Sequence, residues 1–228
     1  NYLPEEYRTK FSKLQGQGQQ IDSETILRII YEQLGEEKFN QILNFGHIPL
    51  GAGSIGQVHM AIIKNKQVVF KIRYPEIDKT INSDRYLMLP IVKTYELLRP
   101  QSKDLTILIS EAKNMLFQEM NYLDEGKHIK FFKEALKADE RFHVPAVLSE
   151  FSSDGIICME FIDGVDLDNF LKNETDVARK TKIAQGMIEL FIEEFFTIGI
   201  VQTDPNFANY IIRNDDQIAL LEDRKSTR

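Results

Sequence analysis

Cysteine is nearly absent and tryptophan wholly so: Cys158 is the single cysteine among 228 residues. One cysteine excludes an internal disulfide and a cysteine-built zinc cluster. Its setting, GIICMEF, reads as a small buried apolar position. No stretch reaches the ~20 consecutive apolar residues of a spanning helix, so any membrane contact is expected to be peripheral. Positive charge is also in deficit. With 28 Lys and Arg against 35 Asp and Glu, the formal net charge is -7 and the pI about 5.3. Such a surface repels phosphate backbones, which argues against nucleic acid as a partner. The opening NYLPEEYRTK has no initiator Met and no signal or transit pattern, and the end, LLEDRKSTR, is abrupt. A fragment of a longer protein is expected.

Apolar residues make up 43% of the chain, enough for a real core in one domain or two small lobes. Asp22 or Ser23 offers an N-cap before the stripe Ile26, Ile29, Ile30 and Leu34, which Gly35 can close. Val58 to Ile63 and Val68 to Arg73 are rich in β-branched residues and predict two antiparallel strands around the polar KNKQ. The stretch from about Asp104 to Lys137 has helical spacing and predicts one long helix or two in series. HVPAVLSE and IICMEFI are short strand candidates. From Asp176 to Ile198, the residues Ile183, Met187, Leu190, Phe191, Phe195 and Ile198 predict a core helix that stops at Gly199. YIIR and IALL predict a final hairpin across NDDQ. The order implies an α+β architecture.

The chemistry begins at Gly51-Ala52-Gly53-Ser54-Ile55-Gly56-Gln57-Val58, a match to G-x-G-x-x-G-x-V, in which missing side chains let backbone N–H groups approach phosphate oxygens. A dinucleotide fingerprint would need a helix next, but VHMAII predicts a strand. A Walker loop would need Lys and then Ser or Thr after Gly56, where Gln57 and Val58 stand. A glycine loop between two strands is the kinase arrangement, and the second strand then presents a lysine to the phosphates: Lys71 in VVFKIRY. A helix glutamate should hold that lysine, and QEMNYLDEGK offers Glu119 and Glu125. Downstream, QTDPNFANYII places Asp204 and Asn209 at the D-x-x-x-x-N spacing of a catalytic loop. After IALL a carboxylate should meet magnesium, with Asp223 preferred to Glu222.

These residues resemble the UbiB family of atypical kinases, including its coenzyme Q branch, over nearly the whole chain. PLGAGSIGQVH is similar to that family's nucleotide loop, VVFKIRYPEI to its lysine strand, and QTDPNFANYI to its catalytic loop. The resemblance implies a bilobal protein kinase-like fold of the atypical UbiB type with a truncated second lobe. It divides the chain into a helical segment (1–45), an N-lobe (46–163) and a partial C-lobe (164–228). It implies ATP and magnesium as cofactors, held by Gly51, Ala52, Gly53, Ser54, Ile55, Gly56 and Val58. By the same resemblance Lys71 holds phosphates and Glu125 orients Lys71, with Glu119 opening the E-x-D motif. Glu160 and Ile162 offer backbone groups to adenine, Asp204 positions a hydroxyl or water, and Asn209 and Asp223 bind magnesium. Quinone-biosynthesis proteins and lipid are the implied partners, in a bacterial cytoplasm or on the matrix side of the mitochondrial inner membrane.

Several positions depart from the family pattern. Gly51 and Gly53 replace alanines, Asn121 replaces the aspartate of E-x-D, and the K-x-G-Q helix is absent. Asp223-Arg224-Lys225 stands where the family has Asp-Phe-Gly. The leading expectation is an ATP- and magnesium-dependent kinase or ATPase supporting ubiquinone biosynthesis. A degenerate pseudokinase, acting as a nucleotide-binding scaffold or lipid-handling chaperone, and a small-molecule phosphotransferase are the rivals.

Overall fold

The computed structural model describes residues 21–53, 55–75, 121–202, 207–221 and 226–227. Helix α1, Ser23–Leu34, starts where Asp22 accepts the Thr25 N–H, and ends at Gly35, whose φ of 80° suits glycine. It buries Ile26, Ile29, Ile30 and Leu34, one turn-spaced stripe. A short helix α2, Glu36–Phe39, follows.

Four strands then form an antiparallel sheet in the order β1-β2-β3-β5: Gly51–Ala52, Gly56–Ile63, Lys66–Arg73 and Ile156–Glu160. The loop expected to span KNKQ is tighter than that. Lys64 and Asn65 alone make the turn, with φ of 50° and 63°, and the strands on either side extend to meet them. Two positive φ values twist the connection in the sense that a two-stranded ribbon requires.

Residues alternate across this sheet. Val68, Phe70, Ile72, Ile156 and Cys158 pack with the α1 stripe in one core cluster. Ile157 and Met159 face the other way, into a second cluster with Tyr122, Ile129 and Phe132 of helix α3, Tyr122–Ala135. The helix expected from about Asp104 is therefore described from Tyr122 on, and its earlier part lies outside the described residues.

The second cluster continues into a further sheet, β4-β9-β8-β6: Phe142–His143, Ile218–Leu220, Tyr210–Ile212 and Val165–Asp166. HVPAVLSE thus gives only the end of β4, a single bridge at Val147, and a 3-10 turn at Ser149–Phe151. The hairpin of YIIR and IALL forms as β8 and β9, with Tyr210 opposite Leu220. Helices α4, Leu167–Asn173, and α5, Val177–Glu193, follow β6 in the chain.

Helix α5 differs from the expected core helix in two respects. Its last turn, Glu194–Ile198, is a π-helix closed by Gly199 in the left-handed region at φ 70°. Ile183 and Leu190 are buried, but Phe191 and Phe195 are 56% and 57% exposed. The wider spacing of a π turn rotates Phe195 off the original stripe, whereas Phe191 lies before that turn, on the regular helix.

Strand β7, Val201–Gln202, pairs with β10, Ser226–Thr227, and sets Gln202 opposite Ser226.

Candidate nucleotide site

The glycine segment connects β1 to β2, as the sequence predicts. Gly51 pairs with Val58 and Ala52 with Gln57, and the Gly53 N–H donates to the Gly56 carbonyl at 2.8 Å to close the turn. Ile55, 7% exposed, fixes the turn to the end of β3, because its carbonyl accepts the Tyr74 N–H at 2.9 Å. The glycines are not equivalent. A Cβ on Gly56 would lie 2.3 Å from the Ile72 carbonyl oxygen, whereas one on Gly51 would meet nothing within 4 Å and one on Gly53 only the Gly56 oxygen at 3.8 Å. Gly56 is required by the sheet, and Gly51 and Gly53 leave open space above the turn. Ser54 lies outside the described residues.

Strand β3 presents Lys71 opposite Val58, on the face of the sheet turned away from α1. Its Nζ donates to both carboxylate oxygens of Glu125, at 2.9 and 3.1 Å. The two side chains are only 14% and 9% exposed, so each ion depends on its charged partner. The Lys71 ammonium also stands 5.0 Å from the centre of the Tyr122 ring, a cation–π contact in a buried setting. Sequence reasoning did not single out Tyr122; its position three residues before Glu125, on the same side of a helix, was the available signal.

Asn121 explains how Glu125 is delivered. Its side chain accepts the Asp124 N–H at 3.2 Å and caps α3, so the glutamate sits in the first turn of a helix whose start is fixed. The asparagine found where the resembled family has aspartate is thus a helix cap, a role either residue fills. Glu119 lies outside the described residues.

At the end of β5 the chain runs through Glu160, Phe161 and Ile162. The Glu160 N–H donates to the Ala146 carbonyl at 2.9 Å, and the Phe161 N–H to Gln67 at 3.2 Å. Ile162 is buried at 6% exposure, and its N–H enters none of the hydrogen bonds made among the described residues. The Glu160 carboxylate accepts the Ala146 N–H at 3.0 Å and lies 3.3 Å from His143 Nε2. Cys158 in the same strand is inert, its thiol pushed far up by burial.

Asn209 ends a 3-10 turn, Phe207–Asn209, just before β8. It is 5% exposed, and its carbonyl accepts the Leu221 N–H at 2.9 Å, which ties the start of β8 to the end of β9. Its side-chain Nδ2 is buried without a hydrogen bond among the described residues. Asp204, Glu222 and Asp223 lie outside the described residues, although Gln202 and Ser226, which flank their segments, are paired. Among the described residues no group of three or more His, Cys, Asp or Glu side chains could hold a metal, and Asn209 is the only candidate magnesium ligand among them. Nor is any described helix long and apolar enough to cross a membrane.

Comparison with known proteins places the chain in a family. The family model of the ABC1 atypical kinase-like domain matches residues 13–223. The chain is 32% identical over 210 residues to the mitochondrial atypical kinase COQ8 of Saccharomyces cerevisiae, covering 92% of this chain and 41% of that protein. It is 30% identical over 215 residues to mouse AarF domain-containing protein kinase 1, covering 92% and 40% respectively. The chain thus spans about two fifths of the length of these curated relatives. A solved complex of Rv3197 with erythromycin from Mycobacterium tuberculosis superposes with a TM-score of 0.77 at 24% identity, covering 99% of this chain and 57% of that one. That likeness bears on the fold alone.

Proposed function

The chain belongs to the ABC1 atypical kinase-like family, and from that premise we propose that it binds ATP with magnesium between its two four-stranded sheets and hydrolyses ATP or transfers the γ-phosphoryl group in support of ubiquinone biosynthesis. The observation that carries the reading is the Lys71–Glu125 pair, held at 2.9 Å beneath a glycine turn whose outer face is open. Gly51 to Val58 would offer backbone N–H groups to the phosphates, and Glu125 would keep the Lys71 ammonium aimed at them. The Glu160 carbonyl and the Ile162 N–H would take the adenine edge. Asp204 would position the attacking hydroxyl or water, and Asn209 and Asp223 would supply the hard oxygen ligands magnesium prefers. Magnesium, when bound, neutralises charge on the phosphates. The buried Asn209 amide fits such a ligand because the backbone bond to Leu221 fixes its position.

On this reading the chain divides into a helical segment (1–45), an N-lobe (46–163) and a partial C-lobe (164–228). Quinone-biosynthesis proteins and lipid are its partners at a membrane surface, in a bacterial cytoplasm or on the matrix side of the mitochondrial inner membrane. The test is thermal stability with and without Mg-ATP, since ligand at ~100 times its dissociation constant stabilises by about 2.7 kcal/mol. A magnesium-dependent shift in the wild type that is lost in Lys71→Ala and in Asn209→Ala supports the reading, and no shift in folded protein removes it.

A second reading, nucleotide binding without turnover, is favoured by Asp223-Arg224-Lys225. Arginine and lysine there replace an apolar anchor and a glycine free to adopt positive φ. ATP turnover that disappears in Asp204→Asn would exclude it.

A further inference from the structure

Gln57 and His59 are both 0% exposed and lie on the α1 side of β2, opposite the face that carries Val58 and Lys71. The nucleotide reading uses neither. The Gln57 amide brackets one residue at the entrance to α1: its Oε1 accepts the Ile21 N–H and its Nε2 donates to the Ile21 carbonyl, each at 3.1 Å. The same Nε2 lies 2.8 Å from His59 Nε2, and His59 Nδ1 lies 2.7 Å from the Gly46 carbonyl oxygen. Phe45 stacks on the imidazole at 4.9 Å between centroids.

This pattern admits one protonation state. A carbonyl only accepts, so Nδ1 carries the ring proton and Nε2 is left as an acceptor. Gln57 Nε2 has two hydrogens and gives one to Ile21 and one to His59. An apolar pair would fill the same space without any directional demand, whereas a fully satisfied buried network tolerates a single arrangement.

We propose that Gln57 and His59 form an acid-released clasp, which docks the segment entering α1 onto the strand of the glycine turn while the imidazole is neutral and lets it go when the ring is protonated. Protonation makes Nε2 a donor facing an NH2 group. Gln57 relieves that clash only by turning its oxygen to the ring, which sets its NH2 against the Ile21 N–H. Once the amide has turned, the Ile21 N–H has lost its acceptor.

The surroundings favour the neutral ring. Burial is the main influence lowering the His59 pKa; the Gly46 carbonyl opposes it, and His47 adds to it. His47 is the titratable group on the adjoining loop, and its Nδ1 lies 3.0 Å from the Ser23 hydroxyl. On α1 and its cap, Asp22, Glu24, Arg28 and Glu32 are all exposed, and the β3 residue opposite His59 is Phe70. No described carboxylate bonds to the ring.

The clasp needs no nucleotide, so its test is independent of the ATP reading. In 1H–15N spectra of the full chain from about pH 8 to about pH 5, His59 should begin as the Nδ1–H tautomer with the Ile21 amide protected. Ile21 protection, corrected for intrinsic exchange, should then fall at least about tenfold, as losing one or two net hydrogen bonds implies, with the midpoint of the ring titration. In Gln57→Glu a carboxylate accepts from both Ile21 and the imidazolium, so the midpoint should rise by about one unit or more. Ile21 protection that persists through the His59 titration, an Nε2–H tautomer at high pH, or an unmoved midpoint in Gln57→Glu overturns the clasp. Should that variant not fold, the wild-type titration decides by itself.

Discussion

Gly56 lies against the backbone of Ile72 so closely that a methyl group on its α-carbon would sit 2.3 Å from the Ile72 carbonyl oxygen and 2.9 Å from the Tyr122 hydroxyl. The last glycine of the turn is therefore a packing requirement of β2 on β3. The first two glycines are not.

Alanine substitutions should separate these roles. Gly56→Ala is expected to cost about 2 kcal/mol or more, as overpacking against an immobile neighbour does. Gly51→Ala should stay within about 0.5 kcal/mol of the wild type, because among the described residues no atom beyond its chain neighbours lies within 4 Å of the added carbon. Urea unfolding midpoints of the two variants are the measurement.

The Lys71–Glu125 pair should behave as a unit. Its side chains are 14% and 9% exposed, so Glu125→Ala, which removes the carboxylate that accepts two hydrogen bonds from the ammonium, should destabilise by about 3 kcal/mol. Lys71→Met with Glu125→Leu should recover most of that loss, since the two apolar groups remove both charges of the pair. A double-mutant cycle in urea reads the coupling directly, and additive losses would mean that the pair is weakly coupled.

Asp216 joins the β8–β9 turn to α5. It accepts from Arg179 Nε at 2.6 Å and from Lys182 Nζ at 2.9 Å, and hydrogen bonds from Lys182 first and Arg179 second hold its carboxyl below the usual 3.8. A depressed carboxylate stabilises the fold above its unfolded value, and that contribution is lost as pH falls through the folded value. Asp216→Asn should therefore cost about 1 kcal/mol at neutral pH, a modest figure for a partly exposed group. The variant should also lose less stability than the wild type on acidification below 3.8. Asparagine tolerates the φ of 65° at this position, so a change of slope in stability against pH isolates the charge.

Two apolar residues of the α5 region should respond oppositely. Leu190 is 2% exposed and Phe196 is 77% exposed. Leu190→Ala should cost about 2–4 kcal/mol for the lost contacts and the cavity, while Phe196→Ser should stay within about 0.5 kcal/mol. Thermal melts of the two variants test the assignment of faces.

Short-range order was written in the sequence. The cap at Asp22, the Ile26–Leu34 stripe, the glycine turn between two strands and the β8–β9 hairpin each depend on spacings of a few residues, which local backbone physics reads directly. The motif resemblance also carried the fold, because GAGSIGQV, VVFKIRY and QTDPNFANY occur in an order that a two-sheet kinase-like topology accommodates.

Contacts between distant segments were decided only by tertiary structure. Lys71 meets Glu125 across 54 residues, and Gln57 meets Ile21 across 36. No local window records such pairs, since they follow from how the sheet and helices pack. The stripe Ile183, Leu190, Phe191 and Phe195 shows the same limit. Periodicity marked all four as one apolar face, but the packing of α5 buries the first two and leaves Phe191 exposed, and Phe195, within the π turn at Glu194–Ile198, is exposed as well. Sequence fixes which residues are able to face inward, and only the assembled neighbours settle which of them do, because burial is a property of the contact and not of the residue.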